Sequence, residues 1–384
     1  MKSERILAFF LKNKSRQMKK KVVYGSIALI PILAAYFLLN TKKTPSIVEK
    51  KVKTDRTYVQ DDSLITLIAV GDIMMGTNYP NNSKLPPKGL NLLDSVKNYL
   101  RFGDITFGNL EGTVLNSGGI PKSCSDPSVC YAFRQPTYVI DHLVDAHFNL
   151  MSVANNHMGD FGEEGRTATC SILNKNNIAH GGLEIAPWDT MTVKGLKIGF
   201  TGFSPNSHCQ KLSNYDLLKS TVKMLDKMCD IVIVSFHGGA EGSSKSHVPR
   251  MEEIFLGENR GDVYKFAHMA IDAGADVVLG HGPHVTRAVD YYKGRFITYS
   301  MGNFCTYGSF NLKGISGIAP IYQLQLRRDG SFKSGKVIPI RQIGEGGPLL
   351  DRKKSVFNEI LKLTQTDFPE IGFTMDDEGN FFFK

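Results

Sequence analysis

Five times along this chain a short apolar, β-rich run stops at a residue whose side chain can bind a cation. Leu64–Val70 ends at Gly71-Asp72, Asp104–Phe107 at Asn109 and Glu111, and Phe148–Ala154 at Asn156-His157. Asp230–Phe236 ends at His237, and Asp276–Leu279 at His281 and His284. Runs this short and this continuously apolar suit strands buried on both faces of a parallel sheet. The segments between them have helical spacing or composition: Leu92, Leu93, Val96 and Leu100, then Thr137–Ala146, Phe161–Asn177, Leu217–Met228, and Asp262–Ala273 with Gly274 as its stop. Strands alternating with helices specify an α/β domain. Side chains at the carboxyl edge of an open α/β sheet converge on whatever ligand occupies the crevice. A single Asp or Asn after a strand is ordinary turn chemistry. Five such stops in one sense, at one edge of one sheet, exceed it. Mixed carboxylate, amide and imidazole donors suit Mn²⁺, Fe or Zn²⁺. The set Asp72, Asn109, Glu111, Asn156, His157, His237, His281 and His284 suffices for two ions bridged by a carboxylate.

From Thr286 the pattern turns to hairpins. Ala288–Tyr292 and Arg295–Tyr299 flank Lys293-Gly294, and Ile321–Arg327 and Lys336–Arg341 follow. An earlier hairpin, Thr190–Phe203, turns at Lys194-Gly195, and Val356–Thr364 is a last helix.

The N-terminus gives an address. Residues 1–21 carry Lys2, Arg5, Lys12, Lys14, Arg16, Lys19, Lys20 and Lys21 against Glu4 alone. The uncharged run Val22–Leu39 is just long enough to span a bilayer. Basic residues ahead of it hold the N-terminus in the cytoplasm. Bulky Tyr36, Phe37, Leu38 and Leu39 offer no small-residue cleavage site, so the run reads as an uncleaved anchor. The chain then divides into a cytoplasmic basic tail (1–21), a transmembrane anchor (22–40), a linker (41–63), a main extracytoplasmic domain (64–345) and a C-terminal helix and tail (346–384).

Net charge supports this division and excludes one class of partner. The chain holds 46 Lys and Arg against 37 Asp and Glu, of which the first 60 residues hold 14 and 3, leaving 32 against 34 for the rest. The basic surplus belongs to the anchor and linker, where anionic lipid attracts it. The main domain has none to offer a nucleic acid. All six cysteines lie beyond the anchor, an even number in an oxidising compartment, and Cys124 with Cys130 is the easiest disulfide, closing a short loop.

Taken together, Val70-Gly-Asp-Ile-Met-Met-Gly76, Gly108-Asn-Leu-Glu-Gly112, Ala154-Asn-Asn-His157, Ser235-Phe-His-Gly-Gly239, Gly280-His-Gly-Pro-His284 and Tyr299-Ser-Met-Gly-Asn-Phe304 resemble the motif series of the CapA capsule-synthesis proteins. This is the poly-γ-glutamate biosynthesis family, also called PgsA. The resemblance covers about residues 64–310, motif by motif and in order. It implies a calcineurin-like metallophosphoesterase fold, a four-layer α/β/β/α sandwich, behind one N-terminal transmembrane helix. It also implies a part in making or exporting an anionic surface polymer alongside membrane subunits of a polymer synthase. Against the wider phosphoesterase pattern, Met74 stands where a His is usual, and Leu110 where the leaving-group acid is usual. His157 and His237 are then the candidates for proton transfer.

Three functions fit these residues: a metal-binding polymer-assembly component, a free-standing metallohydrolase acting on a phosphoester or amide bond, and a metal-free adhesin-like domain. The apolar residues at 74 and 110 weigh against ordinary phosphoesterase chemistry, and the retained ligand set weighs against the metal-free domain.

Overall fold

Strand β1 (Leu64–Met74) is buried along all but its first residue, as a continuously apolar run must be to escape water. A computed structural model describes residues 62–123 and 130–384, and β1 is the middle of its larger sheet. Parallel to β1 run β2 (Ile105–Leu110), β3 (Leu150–Ser152) and β4 (Ala179–Gly181) in that order. On its other side β12 (Ile318–Arg327) pairs antiparallel, followed by β13 (Phe332–Gln342). A second sheet takes β5 (Trp188–Val193), β6 (Leu196–Phe203), β7 (Ile231–His237), β8 (Val277–His281), β9 (Val289–Tyr292) and β10 (Arg295–Thr298), in the order β9-β10-β8-β7-β6-β5.

The two sheets face each other. Alternate residues of β1 and β2 (Ile65, Leu67, Ile105, Phe107) share one core with Ile198, Phe200 and Phe296 of the second sheet. Phe107 lies 5.7 Å from Phe200, and Phe296 lies 5.5 Å from Tyr322, across that interface. The opposite parity (Ile68, Val70, Leu110, Met151) packs in a separate core with α1 (Tyr138–Asp145) and α2 (Gly162–Lys175). Helices α3 (Tyr215–Asp226) and α4 (Val263–Asp272) cover the second sheet, with Phe266 wedged 5.3 Å from Phe203 and 5.6 Å from Phe236. Their starts are capped by Asn214 and Asp262, which accept the Leu217 and Lys265 backbone N–H groups. The layers thus run helices, sheet, sheet, helices.

Three outcomes differ from the sequence reading. The polar stops do not share one sheet: β1, β2 and β3 belong to the larger sheet, while β7 and β8 belong to the smaller. The apolar spacing at Leu92–Leu100 yields turns and only the short helix Lys97–Leu100, because Leu92, Leu93 and Val96 are buried from a loop. Residues 346–384 are also woven into the fold. Asn380–Phe382 extends the larger sheet beside β13, and α5 (Ser355–Asp367) buries Val356, Phe357 and Ile360 in the common core. Residues 1–61, with the expected tail, anchor and nearly all of the linker, lie outside the described residues. Among the described residues no helix is long and apolar enough to cross a membrane.

Candidate metal centre

The carboxyl ends of β1, β2, β7 and β8 meet between the sheets. At Asp72 the pairing of β1 slips against both neighbours, β2 and β11 (Asn303–Thr306). Such a bulge re-aims a side chain. The chain can cross there only because residue 71 is glycine, since a Cβ on Gly71 would sit 1.9 Å from the Gly302 carbonyl oxygen. On the other sheet Gly282 (φ 117°) lies against Gly238, and His284 takes φ 58°, a left-handed conformation uncommon for a residue with a Cβ. Backbone strain of this kind persists only where the surroundings hold it.

Asp72 is the hub. Its Oδ1 accepts the Asn109 amide at 2.9 Å and lies 3.1 Å from His281 Nδ1, while its Oδ2 lies 3.0 Å from His284 Nδ1. Glu111 Oε1 is 3.6 Å from His284 Nε2 and 4.0 Å from His157 Nε2. Ligand atoms of Asp72, Glu111 and His284 all lie within 4.8 Å of one another. His237 packs edge-on to His284 with ring centres 6.1 Å apart, its Nδ1 3.4 Å from the Asn109 amide nitrogen.

Among the described residues several polar atoms here are buried without a hydrogen-bond partner: both oxygens of Glu111 and the Nε2 atoms of His237 and His281, with Asn156 Oδ1, next to His157 in the chain, a further one. Buried polar groups are normally paired, because an unpaired one forfeits its hydration. Here the unpaired atoms are two carboxylate oxygens, an amide oxygen and two imidazole nitrogens. That donor set suits a divalent cation. The residues therefore fit the cation that the sequence reading expects.

The electrostatics agree. Burial works to raise the Asp72 carboxyl, but the hydrogen bonds and charges of His281 and His284 outweigh it and hold the group far below the usual carboxylate range. Burial pushes the Glu111 carboxyl up to about 8, against the pull of His284. His284, despite its own burial, is raised to about 10 by Glu111 and Asp72. Burial drives His237 well below the ordinary imidazole value, leaving a neutral ring suited to ligation. Without a cation Glu111 and His284 both retain protons at neutral pH, and binding a cation would release them.

His157 differs from the other histidines. Its Nδ1 lies 2.7 Å from Asp160 Oδ2, an oxygen that also accepts the Phe133 N–H at 2.7 Å. Lys122 Nζ lies 2.6 Å from the other Asp160 oxygen, and the Phe133 ring lies tilted against the imidazole with ring centres 4.2 Å apart. A carboxylate on Nδ1 fixes the tautomer and leaves Nε2 available toward Glu111. Burial lowers the His157 pKa, with Asp160 opposing, so the ring is neutral and able to accept a proton.

Of the sequence-predicted residues, Asp72, Asn109, Glu111, His157, His237, His281 and His284 are linked by these short distances. Asn156 is tied to them by none of these distances, though its Oδ1 is buried and unpartnered, while its neighbour Asn155 donates to Asn109 Oδ1 (3.0 Å) and to the Leu110 carbonyl (2.9 Å). Leu110 packs in the outer core with Val139 and Ile140, and the histidines beside Glu111 are His284 and, from the third strand end, His157. Met74 is buried. Sequence reasoning missed Asn155 and Asp160. The i, i+3 spacing of His157 and Asp160 was the available signal for the second.

The family model for bacterial capsule synthesis protein PGA_cap matches residues 66–307. The capsule biosynthesis protein CapA of Bacillus anthracis is 26% identical over 387 residues, covering 94% of this chain and 86% of that protein. The PGA biosynthesis protein CapA of Bacillus subtilis (strain 168) is 27% identical over 362 residues, covering 89% and 87%. Among solved structures, a putative 5'-nucleotidase from Staphylococcus aureus is 13% identical with a TM-score of 0.40, covering 77% of this chain and 58% of that one. The match to the family model extends over well more than half of the sequence, and the chain belongs to the PGA_cap family of bacterial capsule synthesis proteins.

Proposed function

We propose that this protein is a membrane-tethered, metal-binding component of the machinery that makes or exports poly-γ-glutamate or a related anionic surface polymer. Its fold is of the calcineurin-like metallophosphoesterase type, with the main domain outside the cytoplasm and membrane subunits of the polymer synthase as partners. The observation that carries this reading is Glu111, wholly buried with both carboxylate oxygens unpartnered, beside Asp72 and His284. Relatives named for capsule and PGA biosynthesis, similar over most of their length, support the polymer. Asp72, Glu111, His237, His281 and His284, with Asn109 and Asn156 beside them, would hold one or two divalent ions of Mn, Fe or Zn. Such an ion supplies Lewis acidity toward an oxygen of the bound group. Asn109 and Asn155 keep the Asp72 side of the site ordered through their amide hydrogen bonds. The test is metal analysis of the purified full chain together with complementation of a strain lacking the gene. His281→Ala should lose metal and polymer production together while remaining in the membrane fraction. Polymer production at the wild-type level by a metal-free variant would overturn the reading.

The His157–Asp160 pair favours a second reading, a metal-dependent hydrolase of phosphoester or amide bonds. A neutral imidazole oriented by a carboxylate, with Nε2 4.0 Å from Glu111, is placed to move a proton at the site. Turnover of a γ-glutamyl amide or a phosphomonoester by the wild type and its loss in His157→Ala would establish this reading. Absence of turnover in the metal-loaded wild type would leave the first reading alone.

A further inference from the structure

Arg260 is 3% exposed, yet only one of its terminal nitrogens has a close partner: Nη1 meets Glu241 Oε1 at 2.9 Å, with Glu258 more distant at 4.0 Å. Its Nε and Nη2 are buried without a hydrogen-bond partner among the described residues. Those two nitrogens share one edge of the guanidinium and form the side-on fork that grips an oxyanion with two parallel hydrogen bonds. The backbone brings Arg260 close to the chain that leaves the candidate metal centre at His237. The Arg260 carbonyl accepts the Gly239 N–H at 2.9 Å, two residues past His237. The charge of Arg260 is felt at both Glu111 and His237, and that of its partner Glu241 at Glu111 and His284.

Burying an arginine with two donors unpaired is costly, and the cost is relieved when an anion takes them. The main domain has no basic surplus, with 32 Lys and Arg against 34 Asp and Glu beyond residue 60, so general attraction does not recruit a polyanion to it. Recognition must then rest on particular cations. Arg260 follows the short hairpin Ile254–Phe255 and Glu258–Asn259, which belongs to neither main sheet.

We propose that the Nε–Nη2 edge of Arg260 is a carboxylate-binding subsite of this centre, receiving a carboxylate of the anionic polymer next to the metal ligands. This rests on the polymer-assembly reading above and assigns the substrate contact within it. The fork would fix the register of a chain that carries a carboxylate on every unit, while the metal ligands address the neighbouring group.

The test uses the full chain in detergent, loaded with Mn²⁺, and a fluorescently labelled γ-linked glutamate oligomer, with inorganic phosphate as the competing probe. Wild type should bind the oligomer saturably, and excess phosphate should displace it only weakly. Arg260→Lys, which keeps the charge and loses the fork, should bind at least tenfold more weakly. Arg260→Gln should bind more weakly still. Both variants should retain wild-type metal content, which separates this inference from the metal reading: a wild type that takes up no metal refutes the latter, whatever the oligomer does. Unchanged oligomer affinity in Arg260→Lys overturns the subsite even if Arg260→Gln fails to fold. Binding of phosphate in preference to the oligomer overturns the carboxylate assignment.

Discussion

Glu111→Gln should make the metal-depleted protein more stable and the metal-loaded protein less stable than wild type. In the absence of a cation, Glu111 is a buried carboxyl whose oxygens have no hydrogen-bond partner among the described residues, and burial lifts it from an ordinary 4.5 to about 8. The folded value lies above the unfolded one, so the group's contribution to stability falls as pH rises from the unfolded value toward the folded one. At pH 7 the unfolded chain has ionised it and the folded chain has not, a difference of about 2.5 pH units or about 3 kcal/mol. Glutamine has nearly the same shape and no such pH dependence. Part of the gain is offset because the fraction of Glu111 that does ionise pairs with His284, 3.6 Å away. The net expectation is about 1–3 kcal/mol in EDTA at pH 7, or a rise of a few degrees in melting temperature for a domain of this size. Added divalent ion reverses the order. A ligand at a hundredfold its dissociation constant adds about 2.7 kcal/mol to a protein that binds it only when folded, and the variant forfeits most of that. The assay is thermal unfolding of both proteins with EDTA and with a titration of Mn²⁺ or Zn²⁺, repeated between pH 5 and 8. A variant less stable than wild type in EDTA, or equal stabilisation of both by metal, would refute the assignment of Glu111 as a ligand.

Asp160→Asn should leave metal content unchanged and lower polymer production, because it removes the carboxylate that orients His157 while sparing the acids around Asp72. Metal analysis and complementation read the two effects separately, and loss of metal would show that the residue acts structurally. Glu253→Ala strands the buried guanidinium of Arg287, which now makes bonds of 2.8 and 2.7 Å to its two oxygens. It should cost about 3–5 kcal/mol in urea unfolding, and a loss below about 1 kcal/mol would show the pair to be dispensable. The expected Cys124–Cys130 pairing involves residue 124, outside the described residues, whereas Cys170, Cys209, Cys229 and Cys305 are free thiols. Alkylation of the native, non-reduced protein should therefore label the partly exposed Cys170 and Cys229 and spare Cys124 and Cys130. Labelling of both members of the pair would refute it.

The fold was legible wherever burial dictated composition. Strands β1, β7 and β8 are buried at nearly every position, so their sequences had to be continuously apolar and their ends had to be where polarity resumed. The helices of alternating exposure, such as α3 and α4, were equally plain. The segment around Leu92 was not, because a loop that buries Leu92, Leu93 and Val96 imitates helical spacing. The division of strands between two sheets was also hidden. Each strand carries the same apolar signature whichever sheet it joins, and the pairing is decided by contacts far apart in sequence, such as Phe107 with Phe200.

The site was legible for the same reason that it is costly. A strand end in a buried crevice can carry Asp72, Glu111 or His237 only if something compensates the burial, so polar residues at such places stand out against the apolar runs before them. Residues that act through another residue give no such contrast. Asp160 is an ordinary acid two residues before a helix until its distance to His157 is known, and Asn155 is one of two adjacent asparagines with nothing in sequence to choose between them. Arg260 was equally silent, since it follows no apolar strand and belongs to no motif. What distinguishes it is a count of donors: a buried guanidinium with Nε and Nη2 unpaired among the described residues, a requirement complementary to that of the unpaired oxygens of Glu111. A cation satisfies the acceptors and an oxyanion satisfies the donors. A centre built for only one of them would leave the other set buried and unpaired, which is the physical argument for treating metal and carboxylate as ligands of the same site.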